Sequence, residues 1–435
     1  MNRYRTTEIS RPWGQLVSVS GLCLMVLLMF SPVVEGQSVA ELQQEAAENN
    51  PELKARYQQY LAAMEQPQIS GVLPDPEVSF SYFIKPIETR VGPQQARVSV
   101  KQMLPWFGSL GSQRSATELQ ARAAFESFQE ARNRLFYQVE KTVTELYELE
   151  ESIRLSRENA MILNSLVEIS LARYETNRAT QVDVLRAQIE EEDLQIQIEL
   201  LENDRKVLNR KLNELLNRPG NEAADIPDTL LTEEIGSKQE LLNSISRQNP
   251  DLSRLRYEEA SKAEMRSLAK KNNRPDIMLG FDYIFTGESD LPNVANSGED
   301  AIMVMAGLKV PIFGRKNRSG VRQAEQKVQE AEYRRQSMEN VLETSLESSL
   351  SDYDDAISRY ELYDQTQIQR IGQAIEIMME AYASDRADFE EILRMQRKQL
   401  DYQLRRLQAK TDQYTAAAYI AYLIGKHNVK EIIEE

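Results

Sequence analysis

Residues 97–108 read Arg97-Val98-Ser99-Val100-Lys101-Gln102-Met103-Leu104-Pro105-Trp106-Phe107-Gly108. Val98 and Val100 alternate with Arg97, Ser99 and Lys101, the period-2 pattern of a strand with one apolar face. Pro-Trp-Phe-Gly closes the stretch, and residues 112–218 then contain no Gly and no Pro. A strand therefore feeds directly into a very long helical segment. At 1.5 Å per residue, a helix from about Ser112 to Glu175 runs roughly 95 Å.

The same order returns downstream. Ile302, Val304, Ala306, Leu308 and Val310 alternate with Met303, Met305, Gly307 and Lys309, and Pro311-Ile312-Phe313-Gly314 follows at an offset of 206. Residues 321–371 and 373–424 again lack Gly and Pro, with Gly372 the only interruption. Asn50-Pro51-Glu52-Leu53 matches Asn249-Pro250-Asp251-Leu252 at offset 199, and Pro76-Glu77-Val78 matches Pro275-Asp276-Ile277. The segment 173–179 matches 381–387 at offset 208, as Leu185-Arg186-Ala187-Gln188 matches Leu393-Arg394-Met395-Gln396. Matches in one order mark an internal duplication. The rise from 199 to 206 places a longer loop in the second copy, between its strands.

These signals divide the chain. Residues 1–36 read as a signal peptide: Arg3, Arg5 and Arg11 precede an apolar run from Leu16 to Phe30, with cleavage expected before Gln37. That run is short of the roughly 20 residues of a spanning helix. Cys23 lies inside it after Leu22, which argues against lipidation. The first repeat is 37–220, with a short helix, a strand pair at about 76–104 and a long hairpin at about 109–218. Residues 221–248 form a linker or equatorial segment. The second repeat is 249–425, with strands at about 275–310 and a hairpin at about 315–424, and 426–435 is a tail.

Leu135, Val139, Val143, Leu146, Leu149 and Ile153 recur every three or four residues, as on a helix face. Leu194, Ile196, Ile198 and Leu200 place apolar groups on two flanks instead. Two apolar flanks suit a helix in the wall of a hollow cylinder, wet on both sides. The mean hydropathy of −0.53 fits such a wall better than a thick core.

Val78, Phe80, Tyr82 and Ile84 alternate with Ser79, Ser81 and Phe83, and Ile277, Leu279, Phe281, Tyr283 and Phe285 with Met278, Gly280, Asp282 and Ile284. Strands of about 9–11 residues suit a transmembrane β-barrel. A half-buried hairpin in a soluble sheet alternates identically. Export of the chain favours the membrane, as do Trp106, Phe107 and Phe313 past the strand ends, where an aromatic girdle belongs. The connections, Lys85 to Pro93 and Thr286 to Glu299, are polar. Four strands are too few, because the smallest barrels have about eight and a sheet edge cannot face lipid. The barrel must be shared, with eight strands from two chains or twelve from three.

The 435 residues carry 52 Lys and Arg against 68 Asp and Glu, a net charge of −16 that argues against nucleic acid. One Cys and one His, His427, exclude an internal disulfide, His-rich metal sites and a His-containing triad. No catalytic residue, metal site or cofactor is expected. Met303, Met305, Met378 and Met379 could suit a soft metal, but methionine is commonly a packing residue. The rival class is a soluble periplasmic coiled-coil scaffold or pump adaptor. An adaptor usually has one hairpin, whereas here the strand-pair-plus-hairpin unit occurs twice.

These residues resemble the TolC family of outer-membrane efflux channels, most closely its CusC- and CzcC-like heavy-metal branch. The resemblance runs from Glu48-Asn49-Asn50-Pro51-Glu52-Leu53 to Tyr422-Leu423-Ile424-Gly425. Leu73-Pro74-Asp75-Pro76, the segment Gln102 to Gly108, and the Tyr-containing segments at 174 and 382 carry it. It implies a mainly α protomer with a β-barrel part, assembled as a homotrimer. Twelve strands would form a barrel among outer-membrane lipids of a Gram-negative bacterium, continued by a twelve-helix periplasmic tunnel. Segments near 215–250 and the C-terminus would belt it. Such a duct passively exports metal ions or small toxic molecules. It serves an inner-membrane efflux pump of the RND type through a periplasmic adaptor, and it has no enzymatic activity.

The resemblance also places sites. Relatives usually have Gly at the hairpin tips, where this chain has Asn177 and Asp385, which tolerate positive φ. Tyr174, Arg178, Tyr382 and Arg386 beside them are candidate adaptor contacts. Glu391 matches an acidic gate position, and Asp183 a bridging carboxylate. The next acidic position is Arg394, which weakens any double acidic ring. Glu391 and Arg394 could form a helix-surface pair or bridge neighbouring helices, and removal of both would then raise leakage.

Overall fold

The computed structural model describes residues 37–227, 229–230 and 235–426. The signal peptide, part of the linker and residues 427–435 with His427 lie outside the described residues.

Each repeat begins with two helices rather than one short helix: α1 (Val39–Asn49) and α2 (Pro51–Ser70), then α5 (Lys238–Gln248) and α6 (Pro250–Lys271). Proline explains the break. It cannot donate to the preceding turn but fits the first helical position, and Asn50 and Asn249 cap the new helices through Leu53 N–H (3.1 Å) and Leu252 N–H (3.0 Å). The same two asparagines donate from Nδ2 to Leu215 O and Leu423 O, both at 3.0 Å. The repeated Asn-Pro motif thus ties the start of each repeat to the end of its own hairpin.

Strands β1 (Glu77–Thr89), β2 (Gly92–Leu104), β3 (Asp276–Thr286) and β4 (Ala301–Lys309) form one antiparallel sheet in the order β1-β2-β3-β4. The first hairpin runs further than its polar composition suggests. Its turn is only Arg90-Val91, where an open connection from Lys85 to Pro93 was expected. Gly92 permits this with φ 134°, and any Cβ there would sit 1.8 Å from Gly287 O. Pro86 falls in the register break between Tyr82 and Ile87, where no ladder bond is lost. The longer β3–β4 loop lies against that turn, with Gly298 N–H donating to Val91 O and Gly287 N–H to Pro93 O, both at 2.8 Å.

Below the sheet, α2, α3 (Ser109–Glu175), α6 and α7 (Gly314–Glu361) pack side by side in the order of the strands. The first hairpin is α3 with α4 (Gln181–Leu216). The second is α7, a π turn (Leu362–Gln367), α8 (Ile368–Ala383) and α9 (Phe389–Ile424). Helix continues through Gly372, and the departure from α-helical geometry in this limb is the π turn upstream of it. Among the described residues the core forms three strips. One joins α1, α2, α3 and α4, its second-repeat counterpart joins α5, α6, α7 and α9, and a third joins the hairpins towards their tips. The first-repeat side of the protomer keeps exposed apolar side chains, Tyr57, Leu61, Met64 and Ile69 on α2 and Val182, Leu185, Ile189 and Ile196 on α4, both helices packing on α3.

Candidate channel wall and periplasmic tips

Pairing register settles which side chains share a face of the sheet. Phe80, Val98, Tyr283 and Ile302 form one row across all four strands, and Val78, Val100, Phe281 and Val304 form the next. This face is apolar and open to its surroundings: Phe80 is 69% exposed and Val304 78%. Ser79, Ser99, Asp282 and Met303 form a row on the opposite face, beside Glu77, Lys101, Gly280 and Met305. Asp282 is 2% exposed there and faces Arg97 at 3.9 Å. Water-facing sheets bury their apolar face and expose the polar one. This sheet does the reverse, as a lipid-facing barrel wall does.

At the sheet–helix junction Phe107 (76% exposed) and Phe313 (70%) project outward, with Ile312 beside Phe313. Trp106 is half-buried, packs edge-on against Phe107, and donates its backbone N–H to Asp276 Oδ1 at 3.2 Å. All four methionines of the strands, Met103, Met278, Met303 and Met305, fall on the polar face. Met378 and Met379 pack against the apolar strip near the tips. Among the described residues, no three His, Cys, Asp or Glu side chains gather as a metal site, and no helix is long and apolar enough to cross a membrane.

Asn177 (φ 56°) and Asp385 (φ 57°) take the left-handed conformation at the two hairpin tips. Tyr174, Arg178 and Arg386 are exposed there, and Arg386 Nε donates to Ser384 Oγ at 3.0 Å. Tyr382 is 7% exposed, packed on Phe389 and covered by the Arg173 guanidinium 4.2 Å from its ring centre. Burial pushes its hydroxyl pKa up. Within one chain, then, Tyr382 is a core residue of the tip and offers no surface.

The gate candidates resolve differently. Asp183 completes a capping box, accepting from Thr180 N–H (2.9 Å) and Thr180 Oγ (2.8 Å) at the start of α4. Glu391 accepts from Arg394 at 2.9 Å on its own helix, the helix-surface alternative. The hairpins are instead joined by neighbours that sequence reading missed. Arg173 pairs with Asp385, Arg186 with Glu390 at 2.8 Å, and Arg397 with Glu190 at 3.3 Å. Partners some 200 residues apart leave no local signal, although the tip repeat at offset 208 already placed Arg173 and Asp385 in neighbouring tips. Higher up, Thr411 Oγ donates to Glu148 at 2.9 Å, and burial raises the Glu148 pKa.

A family model described as outer membrane efflux protein matches residues 42–218 and 241–426, the two repeats. Among solved structures, the chain is similar to the outer membrane protein VceC from Vibrio cholerae, at TM-score 0.76 and 16% identity over 89% of this chain and 96% of that one. The CmeC outer membrane channel of Campylobacter jejuni gives 0.74 at 16% over 89% and 85%. The MtrE outer membrane channel of Neisseria gonorrhoeae, in its open state, gives 0.73 at 17% over 89% and 88%. No curated protein matches by sequence.

Proposed function

The chain belongs to the outer membrane efflux protein family, whose members are transport ducts rather than enzymes, and we propose that three copies form the exit duct of a tripartite efflux system. The observation that carries this is the four-stranded sheet with an exposed apolar face and two unpaired edges, β1 and β4. Three copies supply twelve strands, and pairing β4 of one chain with β1 of the next leaves no edge in lipid. The apolar flanks of α2 and α4 support the same arrangement, because each is left for a neighbouring helix to cover.

The duct stands in the outer membrane of a Gram-negative bacterium after cleavage of residues 1–36. Trp106, Phe107 and Phe313 sit at the membrane interface. A periplasmic adaptor docks at the tips through Tyr174, Arg178 and Arg386, beside the Asn177 and Asp385 turns, and connects the duct to an inner-membrane pump of the RND type. The cargo is metal ions or small toxic molecules, chosen by the pump, since a wide aqueous tunnel has few contacts with which to select. Cross-hairpin pairs Arg173–Asp385, Arg186–Glu390 and Arg397–Glu190 hold each second hairpin against the first in the resting state. The soluble-scaffold reading is disfavoured by the apolar sheet face, which would be an aggregation site in water.

Planar-bilayer recording tests the proposal. Protein extracted from the outer membrane is expected to give discrete ohmic steps of one unit size, small at rest. A protein recovered from the soluble periplasm that adds no conductance would exclude a duct.

A further inference from the structure

Duplication should make the two descending limbs equivalent, and they are not. The Pro-x-Phe-Gly motifs stand 206 apart, whereas the left-handed tip residues Asn177 and Asp385 stand 208 apart. The second limb therefore holds two additional residues. The first limb is one unbroken helix of 67 residues. The second is a 48-residue helix, a six-residue π turn and a 16-residue helix. In the π turn Ile368 N–H reaches back to Tyr363 O, one residue further than in an α-helix. An extra residue is stored there as a local bulge, instead of rotating everything below it by the roughly 100° that one α-helical residue subtends.

The surroundings suit bending. No residue of the π turn is buried. Gly372 follows shortly, and open space lies where its Cβ would be, so packing does not demand glycine; its presence weakens the helix. Above the turn α7 packs against both α6 and α9. Below it α8 packs along α9 and meets the first hairpin only near its end, at Tyr382. Contacts that clasp the turn to α9 include Asp364 with Arg406 at 3.0 Å, a hydrogen bond between Tyr363 and Arg405, and the Tyr363 and Tyr402 rings 5.7 Å apart.

We propose that the π turn at 362–367 is the hinge on which the lower part of the second hairpin swings when the tunnel opens, an inference that rests on the duct reading. The lever from the turn to Asp385 is about 25–30 Å, by the helix rise. A swing of about 10° over that lever moves the tip by about 5 Å, while α7 and the strands stay in place. The first hairpin, lacking such a turn, remains the fixed side.

Deleting Gln365, an exposed residue of the turn, should close it into continuous α-helix with both flanks in register. The deletion is placed in a channel already unlocked by R173A/E390A/R397A and recorded in planar bilayers. The expected result is at least a tenfold loss of the unlocked conductance. Unchanged unlocked conductance overturns the hinge. Should the deletion prevent assembly, hydrogen exchange on the wild-type trimer decides. Amides of 363–372 are expected to exchange at least tenfold faster than those of 156–165 in α3, and equal protection refutes the proposal. A wild-type protein with no channel activity at all refutes the duct reading, and the hinge with it.

Discussion

Replacing Arg173, Glu390 and Arg397 together by alanine raises the resting conductance of the reconstituted channel about tenfold or more. Each replacement removes one of the three ion pairs that join the hairpins at the tip. Exposed pairs contribute roughly 0.2–1 kcal/mol each, so a single break is expected to have a small effect. Threefold symmetry multiplies the three pairs to nine, and their sum of a few kcal/mol shifts a closed–open equilibrium by one to several orders of magnitude. Arg173 contributes most, because its side chain is only 16% exposed and also covers the Tyr382 ring. The contrast is E391A/R394A, whose pair lies on one helix. It should leave resting conductance near wild type, and a leak as large as that of the triple variant would return the gate to Glu391. The exchange R186E/E390R restores the Arg186–Glu390 pair with reversed polarity and should restore the low conductance that E390R alone raises.

Phe281→Arg abolishes recovery of the protein from the outer membrane. Phe281 lies at the centre of β3, in the row Val78, Val100, Phe281 and Val304 on the apolar face. An arginine at the bilayer midplane of a barrel costs roughly 2–4 kcal/mol, and three copies cost about 6–12 kcal/mol. Ser79→Lys, on the opposite face, should assemble normally and alter only ion selectivity. Both variants are read by heat-modifiable oligomer in outer-membrane fractions. Normal assembly of Phe281→Arg would mean that the apolar face does not meet lipid.

Much of this was written into the sequence at short range. Alternation in 97–101 and 277–285 specified the strands and their faces, because side-chain direction in a strand depends on nothing but parity. Gly- and Pro-free runs specified the long helices. Asn177 and Asp385 marked the tips, since few other residues accept positive φ. What needed the structure depended on distant partners. Tyr382 looks like a tip residue from its position, yet Arg173 and Phe389 bury it. Glu391 looks like the gate by register, but Arg394 lies within its reach on the same helix. The carboxylates that reach across to the other hairpin are Asp385, the neighbouring Glu390 and, on α4, Glu190. The β1–β2 turn is tight because Gly92 packs on Gly287 in the other repeat, a contact no local pattern reports. The π turn is an intermediate case. The change of offset from 206 to 208 recorded two added residues, but only the backbone hydrogen bonds place one of them, in the π turn.

Electron microscopy of the full-length protein extracted in detergent from the outer membrane decides whether three chains close one barrel. The expected particle is a threefold tube with a closed β-barrel at one end and a hollow helical part of roughly 95–100 Å, by the helix rise. A solid rod without a barrel, or a monomer with its sheet edges open, would contradict it.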